Sequence, residues 1–241
     1  APGEQIYSAR FLGEKAYVVT FKKIDPFFVI DLSDPTNPSI LGSLKIPGYS
    51  DYLHPYDAEH IIGIGKDTVE AKEDETFWRN VDFAWYQGVK LAMFDVTDVS
   101  EPRELAKIII GDRGTDSPAL SDHKAFLFDK TKGLLVIPIN LYEIDEELKD
   151  ETGEYTGSLY GEFTFQGAYV YHVSLEDGFE YMGRITHLGI EDMRKSGFYP
   201  LYDASIVRTL YIEENLYTIS NKMVKIHDLR DLTELASIQL L

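Results

Sequence analysis

The sequence predicts an all-β fold made of four copies of one four-stranded unit, and three observations carry that reading. A β-rich run ending in a short polar turn occurs four times along the 241 residues. Each copy is flanked by further extended runs, so that every unit holds four strands joined by turns. The central strands mix alternation with continuous apolar stretches such as Leu134-Leu135-Val136-Ile137, the pattern of a sheet packed on both faces. Four antiparallel strands per repeat is the composition of a propeller blade, whereas a sandwich requires no likeness from unit to unit. The expected fold is one β-propeller domain over 1–241, with blades at about 7–46, 51–111, 122–187 and 203–241.

The elements follow in order. The repeated run is Phe28-Val29-Ile30-Asp31-Leu32-Ser33-Asp34-Pro35, then Leu91-Ala92-Met93-Phe94-Asp95-Val96-Thr97-Asp98. The third copy is Ala168-Tyr169-Val170-Tyr171-His172-Val173-Ser174 and the fourth is Val224-Lys225-Ile226-His227-Asp228-Leu229-Arg230-Asp231. Asp and Ser at these ends bond nearby backbone amides and close the turn. The strands after the turns are Ile40 to Ile46, Leu105 to Ile110, Tyr181 to Thr186 and Leu235 to Leu240. Two strands precede each copy: Tyr7 to Leu12 and Ala16 to Phe21, Tyr52 to Tyr56 and Ile61 to Gly65, Ala125 to Phe128 and Leu134 to Ile139, Ser205 to Ile212 and Leu216 to Ser220.

Composition excludes several function classes. Lys and Arg number 23 against 41 Asp and Glu, a formal net charge of -18 that repels nucleic acid and anionic membranes and attracts cations and basic partners. With no cysteine there are no disulfides, thiolate zinc sites, iron–sulfur clusters or cysteine nucleophiles. No apolar run approaches the roughly 18 residues that cross a bilayer. The start Ala1-Pro2-Gly3-Glu4 shows no signal peptide and reads as a processed protein or an excised fragment.

Two segments, Tyr49-Ser50-Asp51-Tyr52-Leu53-His54-Pro55-Tyr56-Asp57 and Ser121-Asp122-His123-Lys124-Ala125-Phe126-Leu127-Phe128-Asp129, are joined by Gly111-Asp112-Arg113-Gly114 in a resemblance. They are similar to prokaryotic secreted proteins with a C-terminal β-propeller distantly related to WD40 repeats. The resemblance covers essentially the whole chain. It implies an exported archaeal or bacterial cell-surface protein, and it implies no particular activity. Members of that family are longer, so these four blades are expected to be part of a larger propeller. An open arc of four blades would expose an apolar face at each end, and such patches normally mark an interface. The arc therefore closes a small ring, pairs as a homodimer, or continues into further blades.

Three insertions distinguish the units: Lys66 to Gly88, Asn140 to Gly167, and Leu188 to Leu201, the last with a short helix around Ile190 to Ser196. In up-and-down blades all three leave the same rim. Repeat proteins often carry their binding surface on such insertions. The first holds Phe77, Trp78, Phe83, Trp85 and Tyr86 behind a run of acids, and the second holds Tyr155, Tyr160, Phe163 and Phe165 behind another. Aromatic rings there either pin the loops to the sheets or form a stacking platform for a glycan or protein ligand. Trp78, Trp85, Tyr86, Tyr155, Tyr160 and Phe163 are the candidate ligand-binding residues.

A second constellation lies at the starts of the innermost strands. Asp51, Asp122 and Asp203 occupy corresponding places, with His54 and His123 nearby, and such positions face a propeller's central channel. Convergent carboxylates bind a cation or share protons, and hard oxygen ligands make calcium the possible ion, although no EF-hand loop is present. The alternative is that each Asp bonds backbone amides locally. Zinc-protease helices, Gly-x-Ser-x-Gly elbows and phosphate-binding glycine loops are all missing from the sequence. The expected function is a non-enzymatic extracellular binding or scaffolding domain that engages a protein or glycan through the insertion-rich face. The alternative is a propeller hydrolase, lyase or metal-binding propeller worked by Asp51, Asp122, His123 or Asp203 at the channel mouth.

Overall fold

A computed structural model describes residues 4–21, 25–71, 83–148, 157–189, 191–192, 197 and 199–240. Sixteen strands among these form four separate four-stranded antiparallel sheets, each in simple sequence order. Blade one is β1 (Gln5–Leu12), β2 (Lys15–Phe21), β3 (Asp25–Asp31) and β4 (Ser39–Ile46). Blade two is β5 (Tyr49–Pro55), β6 (His60–Glu70), β7 (Ala84–Asp95) and β8 (Arg103–Ile110). Blade three is β9 (Leu127–Asp129), β10 (Leu134–Glu143), β11 (Glu162–Ser174) and β12 (Gly178–Ile185). Blade four is β13 (Ile206–Ile212), β14 (Asn215–Ser220), β15 (Met223–Asp228) and β16 (Glu234–Gln239). The four-blade, all-β architecture expected from the repeat is present.

The chain divides into two compact units. The first contains 1–113 and 144–160, and the second 114–143 and 161–241. In the first, Tyr17, Val19, Phe27 and Val29 of blade one pack on Leu53, Ile61, Ala92 and Phe94 of blade two, all essentially inaccessible to solvent. Phe27 and Phe94 stack with centroids 4.7 Å apart. In the second, Leu134, Val136, Ala168 and Val170 of blade three pack on Ile206, Leu216 and Leu229 of blade four. Burying such faces is the main force that holds a blade in place, at about 1.5–3 kcal/mol per large side chain.

The polar turns behave as the residues dictate. Asp31 accepts the Ser33 amide at 2.9 Å, Asp95 the Thr97 amide at 2.8 Å and Asp228 the Arg230 amide at 2.9 Å. In blade three the turn is closed instead by Ser174 Oγ, which accepts the Asp177 amide at 2.9 Å.

Several strand boundaries differ from the sequence reading. β6 and β7 run on to Glu70 and back from Ala84, and β10 and β11 run on to Glu143 and back from Glu162. Much of the first two insertions is thus extended hairpin: Val69 faces Trp85 and Leu141 faces Phe165 across the ladders. The first strand of blade three shortens to β9, because the chain before it forms 3-10 turns at Pro118–Leu120 and His123–Ala125. Ser117 and Asp122 cap these turns by accepting the Ala119 and Lys124 amides. Of the short helix expected around 190–196, Glu191 and Asp192 are helical and the rest lies outside the described residues.

A regular irregularity marks every blade. The third and fourth strands slip register at Val29/Ile30, Met93/Phe94, Val170/Tyr171 and Ile226/His227, the same place in each repeat. The extra residue falls in the outermost strand as Leu41, Leu105, Met182 or Leu235.

Candidate ligand-binding rim

The extended β6–β7 hairpin leaves blade two at the end where β5 begins, since Tyr49 is the register partner of Lys66. At its root lies a charged group that a strand interior rarely holds. Lys90 is fully buried and donates from Nζ to the Pro47 carbonyl at 3.0 Å. Burial pushes the Asp67 carboxyl up, and the ammonium of Lys90 opposes that shift. Thr68 Oγ1 accepts the Gly48 amide at 3.0 Å, tying the hairpin to the chain that enters β5.

Trp85 and Tyr86, adjacent on β7, point to opposite faces of the hairpin. On one side Tyr86 donates or accepts at 3.1 Å with the Tyr7 hydroxyl and meets Tyr49 edge-on at 5.3 Å. Tyr7 and Tyr49 are themselves 4.4 Å apart. On the other side Trp85 meets Phe83 edge-on at 4.8 Å, and the Arg113 guanidinium lies 4.5 Å from the Trp85 ring. The same guanidinium is 5.7 Å from the ring of Tyr160, which the second insertion supplies. The Nε of Arg113 is buried and has no hydrogen-bond partner among the described residues.

The second insertion is anchored to blade two at both ends. Asp112 accepts the Ile144 amide at 2.7 Å, and Gln87 Nε2 donates to the Gly157 carbonyl at 3.0 Å. Glycine is required at 157, because a Cβ there would sit 2.7 Å from Trp85 Cδ1. The result is one rim with two aromatic groups, on which Tyr86 is 43% and Tyr160 60% exposed. In the same unit the 3-10 turn Glu146–Leu148 is exposed and acidic.

Of the predicted platform residues, Trp85 and Tyr160 share the Arg113 guanidinium, and Tyr86 lies in the same unit on the opposite face of the hairpin. Phe163 belongs to the other unit, where it packs edge-on to Tyr142 at 5.7 Å. Trp78 and Tyr155 lie outside the described residues. Sequence reasoning missed Arg113, Gln87, Tyr7 and Tyr49; a cation placed between two rings has no spacing signature, Tyr7 reads as an ordinary strand residue, and Tyr49 lies before the strand expected from Tyr52.

The channel candidates have local partners. Asp51 lies half-buried at the β5 bulge between Ser50 and Tyr52. His54 Nδ1 is 3.0 Å from the Tyr52 hydroxyl, and burial, aided by the Arg10 charge, lowers its pKa to about 4. Asp122 accepts the Lys124 amide at 3.0 Å and Arg208 Nη2 at 2.6 Å, and these bonds hold its carboxyl below the usual range. His123 is exposed at the start of the 3-10 turn that Asp122 caps. Asp203 is exposed on the 3-10 turn Tyr202–Ala204, at a cleft of about 600 Å³ lined also by Asp192 and Lys222. Among the described residues no three His, Asp or Glu side chains gather as a metal site.

The third insertion is likewise clamped, within the second unit. Gln166 bonds both the amide and the carbonyl of Leu201 at 3.0 Å. His187 inserts its ring between Ser220 Oγ and Thr218 Oγ1, each 2.8 Å away.

Comparison with known proteins bears on the family. An uncharacterized protein of Methanocaldococcus jannaschii is 42% identical over 56% of this chain and 19% of its own length. An uncharacterized protein of Archaeoglobus fulgidus is 29% identical over 93% of this chain and 26% of its own. The chain thus spans about a quarter or less of these curated relatives. Among solved structures, an ACO/RPE65 chimera matches 98% of this chain and 49% of its own at 8% identity and a TM-score of 0.40. Kluyveromyces lactis Hsv2 matches 98% of this chain and 64% of its own at 8% identity and a TM-score of 0.30. Likeness at that level carries no argument about activity. The sequence profile of the beta propeller domain matches residues 1–232, and with four meander sheets in sequence order the chain belongs to that family.

Proposed function

We propose that this domain is a non-enzymatic binding module acting outside the cell, and that it takes a glycan or a protein segment on the aromatic rim of its first unit. One observation carries the reading: Tyr86 on the β6–β7 extension and Tyr160 just before β11 present exposed rings, and Trp85, Arg113 and Gln87 pin the chain beside them. Pre-ordered rings lose little entropy on binding and offer both a flat apolar face and a hydroxyl. The chain's net charge of -18 and the exposed Glu146 and Glu147 of the same unit favour neutral or basic ligands over anionic ones. The rival reading, a hydrolase or lyase worked by Asp51, Asp122, His123 or Asp203, has less support, because the Asp122 carboxylate is engaged by Arg208 and by its own cap.

Trp85 stands at the rim, so a ligand-dependent change in intrinsic fluorescence reports on it. A panel of neutral, basic and acidic glycans and unstructured peptides, titrated against that signal, is expected to yield a neutral or basic binder. Tyr86→Ala and Tyr160→Ala should each weaken it about tenfold, as loss of one stacking contact does. A ligand whose affinity is untouched by both variants would refute the rim as the site.

A further inference from the structure

One side chain departs from the rule that closes the other three blades. The first residue of each second strand has a fixed register partner: Lys15 pairs with Asp31, His60 with Asp95, Asn215 with Asp228, and in blade three Leu134 with His172. The three aspartates each accept the amide two residues ahead. In blade three Ser174 Oγ closes the turn instead, which leaves the imidazole without that task. Among the described residues neither ring nitrogen of His172 has a hydrogen-bond partner. The ring lies on Gly133, where a Cβ would come within 2.5 Å of its Cε1, and where a φ of 59° already favours glycine.

His172 lines a cavity of about 170 Å³ between blades three and four, within the second unit. Its apolar surface comes from Leu134, Leu229 and Met182, the last being the extra residue of the β12 bulge. Backbone bonds fix its walls: the Val173 amide donates to the Gly133 carbonyl at 2.7 Å, and the Leu229 amide to the Glu214 carbonyl at 2.9 Å. The polar side chains are mostly donors. Lys132 donates from Nζ to Glu214 at 2.7 Å, and Arg230 donates from Nε and Nη2 to Asp228. An ammonium and a guanidinium carry more donors than that, so both cations keep hydrogens to spare, and the imidazole adds at least one more. Among the described lining residues Glu214 is the one carboxylate, and Lys132 already engages it. Two cations and an uncommitted imidazole against one carboxylate reverse the balance of a chain with 41 acids and 23 Lys and Arg.

We propose that this cavity is a second binding site, for a small carboxylic acid with a compact apolar body. The carboxylate accepts hydrogen bonds from His172 and from the spare donors of Lys132 and Arg230. The body rests on Leu134, Leu229 and Met182, and a cavity of about 150 Å³ is enough for a benzene-sized group. The acceptor-seeking lining is opposite in kind to the aromatic rim, so the two sites select ligands of different charge.

Benzoate and butyrate, with benzyl alcohol as the uncharged counterpart, serve as probes of the chain at neutral pH, and proton–carbon NMR follows the His172 ring and the Met182 methyl. Both acids are expected to shift these signals saturably in the millimolar range, and benzyl alcohol to bind at least about tenfold more weakly. His172→Asp installs the residue of the other three blades and turns a donor into a negative charge. With circular dichroism unchanged, it should weaken benzoate at least about tenfold, read at Met182. Glu214→Gln removes the competing carboxylate and frees Lys132, and it should tighten benzoate about threefold or more, a gain that misfolding cannot mimic. The inference is overturned if neither acid shifts the two signals saturably up to about 50 mM, or if benzyl alcohol binds as well as benzoate. An affinity unmoved by Glu214→Gln, or by a folded His172→Asp, overturns it equally.

Discussion

Acid should weaken the second unit through His187 alone by an amount the structure fixes. The ring is buried, with Ser220 Oγ and Thr218 Oγ1 as its partners, and burial lowers its pKa from 6.5 to about 4. Lys225, His227 and Lys222 add to that shift, and Glu234 opposes it. The neutral ring is the folded form, so as pH falls through 6.5 the unfolded chain takes up a proton that the folded chain refuses. The contribution is complete above pH 6.5, declines as the pH approaches 4, and falls no further once both states are protonated. The gap between 6.5 and about 4 limits the loss to about 3 kcal/mol, of which about 2.5 kcal/mol is reached near pH 4.5. Urea unfolding of the parent and of His187→Gln, followed by circular dichroism from about pH 7.5 to pH 4.5, isolates this part from the many carboxylates. The variant is expected to start less stable and to lose about 2.5 kcal/mol less across the range. Parallel pH profiles for parent and variant would refute the reasoning, since the proton would then cost the same in both states.

Three further outcomes follow from packing. Phe94→Ala removes a fully buried ring stacked on Phe27 and should cost about 3–5 kcal/mol, read as a lower urea midpoint with unchanged slope. Gly88→Ala places a Cβ 2.1 Å from the Gly111 carbonyl oxygen. It should cost about 1–3 kcal/mol by forcing β7 away from its neighbour, although alanine is otherwise the better strand residue. Arg113→Ala removes the cation between Trp85 and Tyr160 and should destabilise the anchoring of 157–160 by about 1–2 kcal/mol. Faster proteolysis in the second insertion reports it, and Arg113→Lys should restore little, because an ammonium does not stack as a planar guanidinium does.

The blade pattern was legible because it is written in local chemistry. Asp31, Asp95 and Asp228 announce a turn two residues ahead, and the apolar runs that precede the first two supply the core between blades one and two. The hairpin extensions were not legible, because the charges of Lys66-Asp67 and Lys90 interrupt the apolar pattern of the two strands. In fact Lys90 is sealed inside β7, and its charge is met by the Pro47 carbonyl and by nearby Asp67. At the rim, aromatic content was readable but not grouping: Trp85 and Tyr160 share Arg113, Tyr86 turns to Tyr7 and Tyr49, and Phe163, only three residues from Tyr160, joins the other unit. The cation that organises the group, Arg113, lies 28 positions from Trp85, and only the three-dimensional course of the chain brings it there.

The bulge that recurs between the third and fourth strands has a consequence at the edges of the sheets. A blade ends in an outermost strand whose free amides and carbonyls are a template for any passing strand, and four blades present four such edges. An extra residue at Leu41, Leu105, Met182 and Leu235 breaks the even spacing of those groups and twists the strand out of plane. A neighbouring molecule can then match only a few residues before its hydrogen bonds fall out of step. The same defect, repeated at one position through four different sequences, works against fibrous association along those edges.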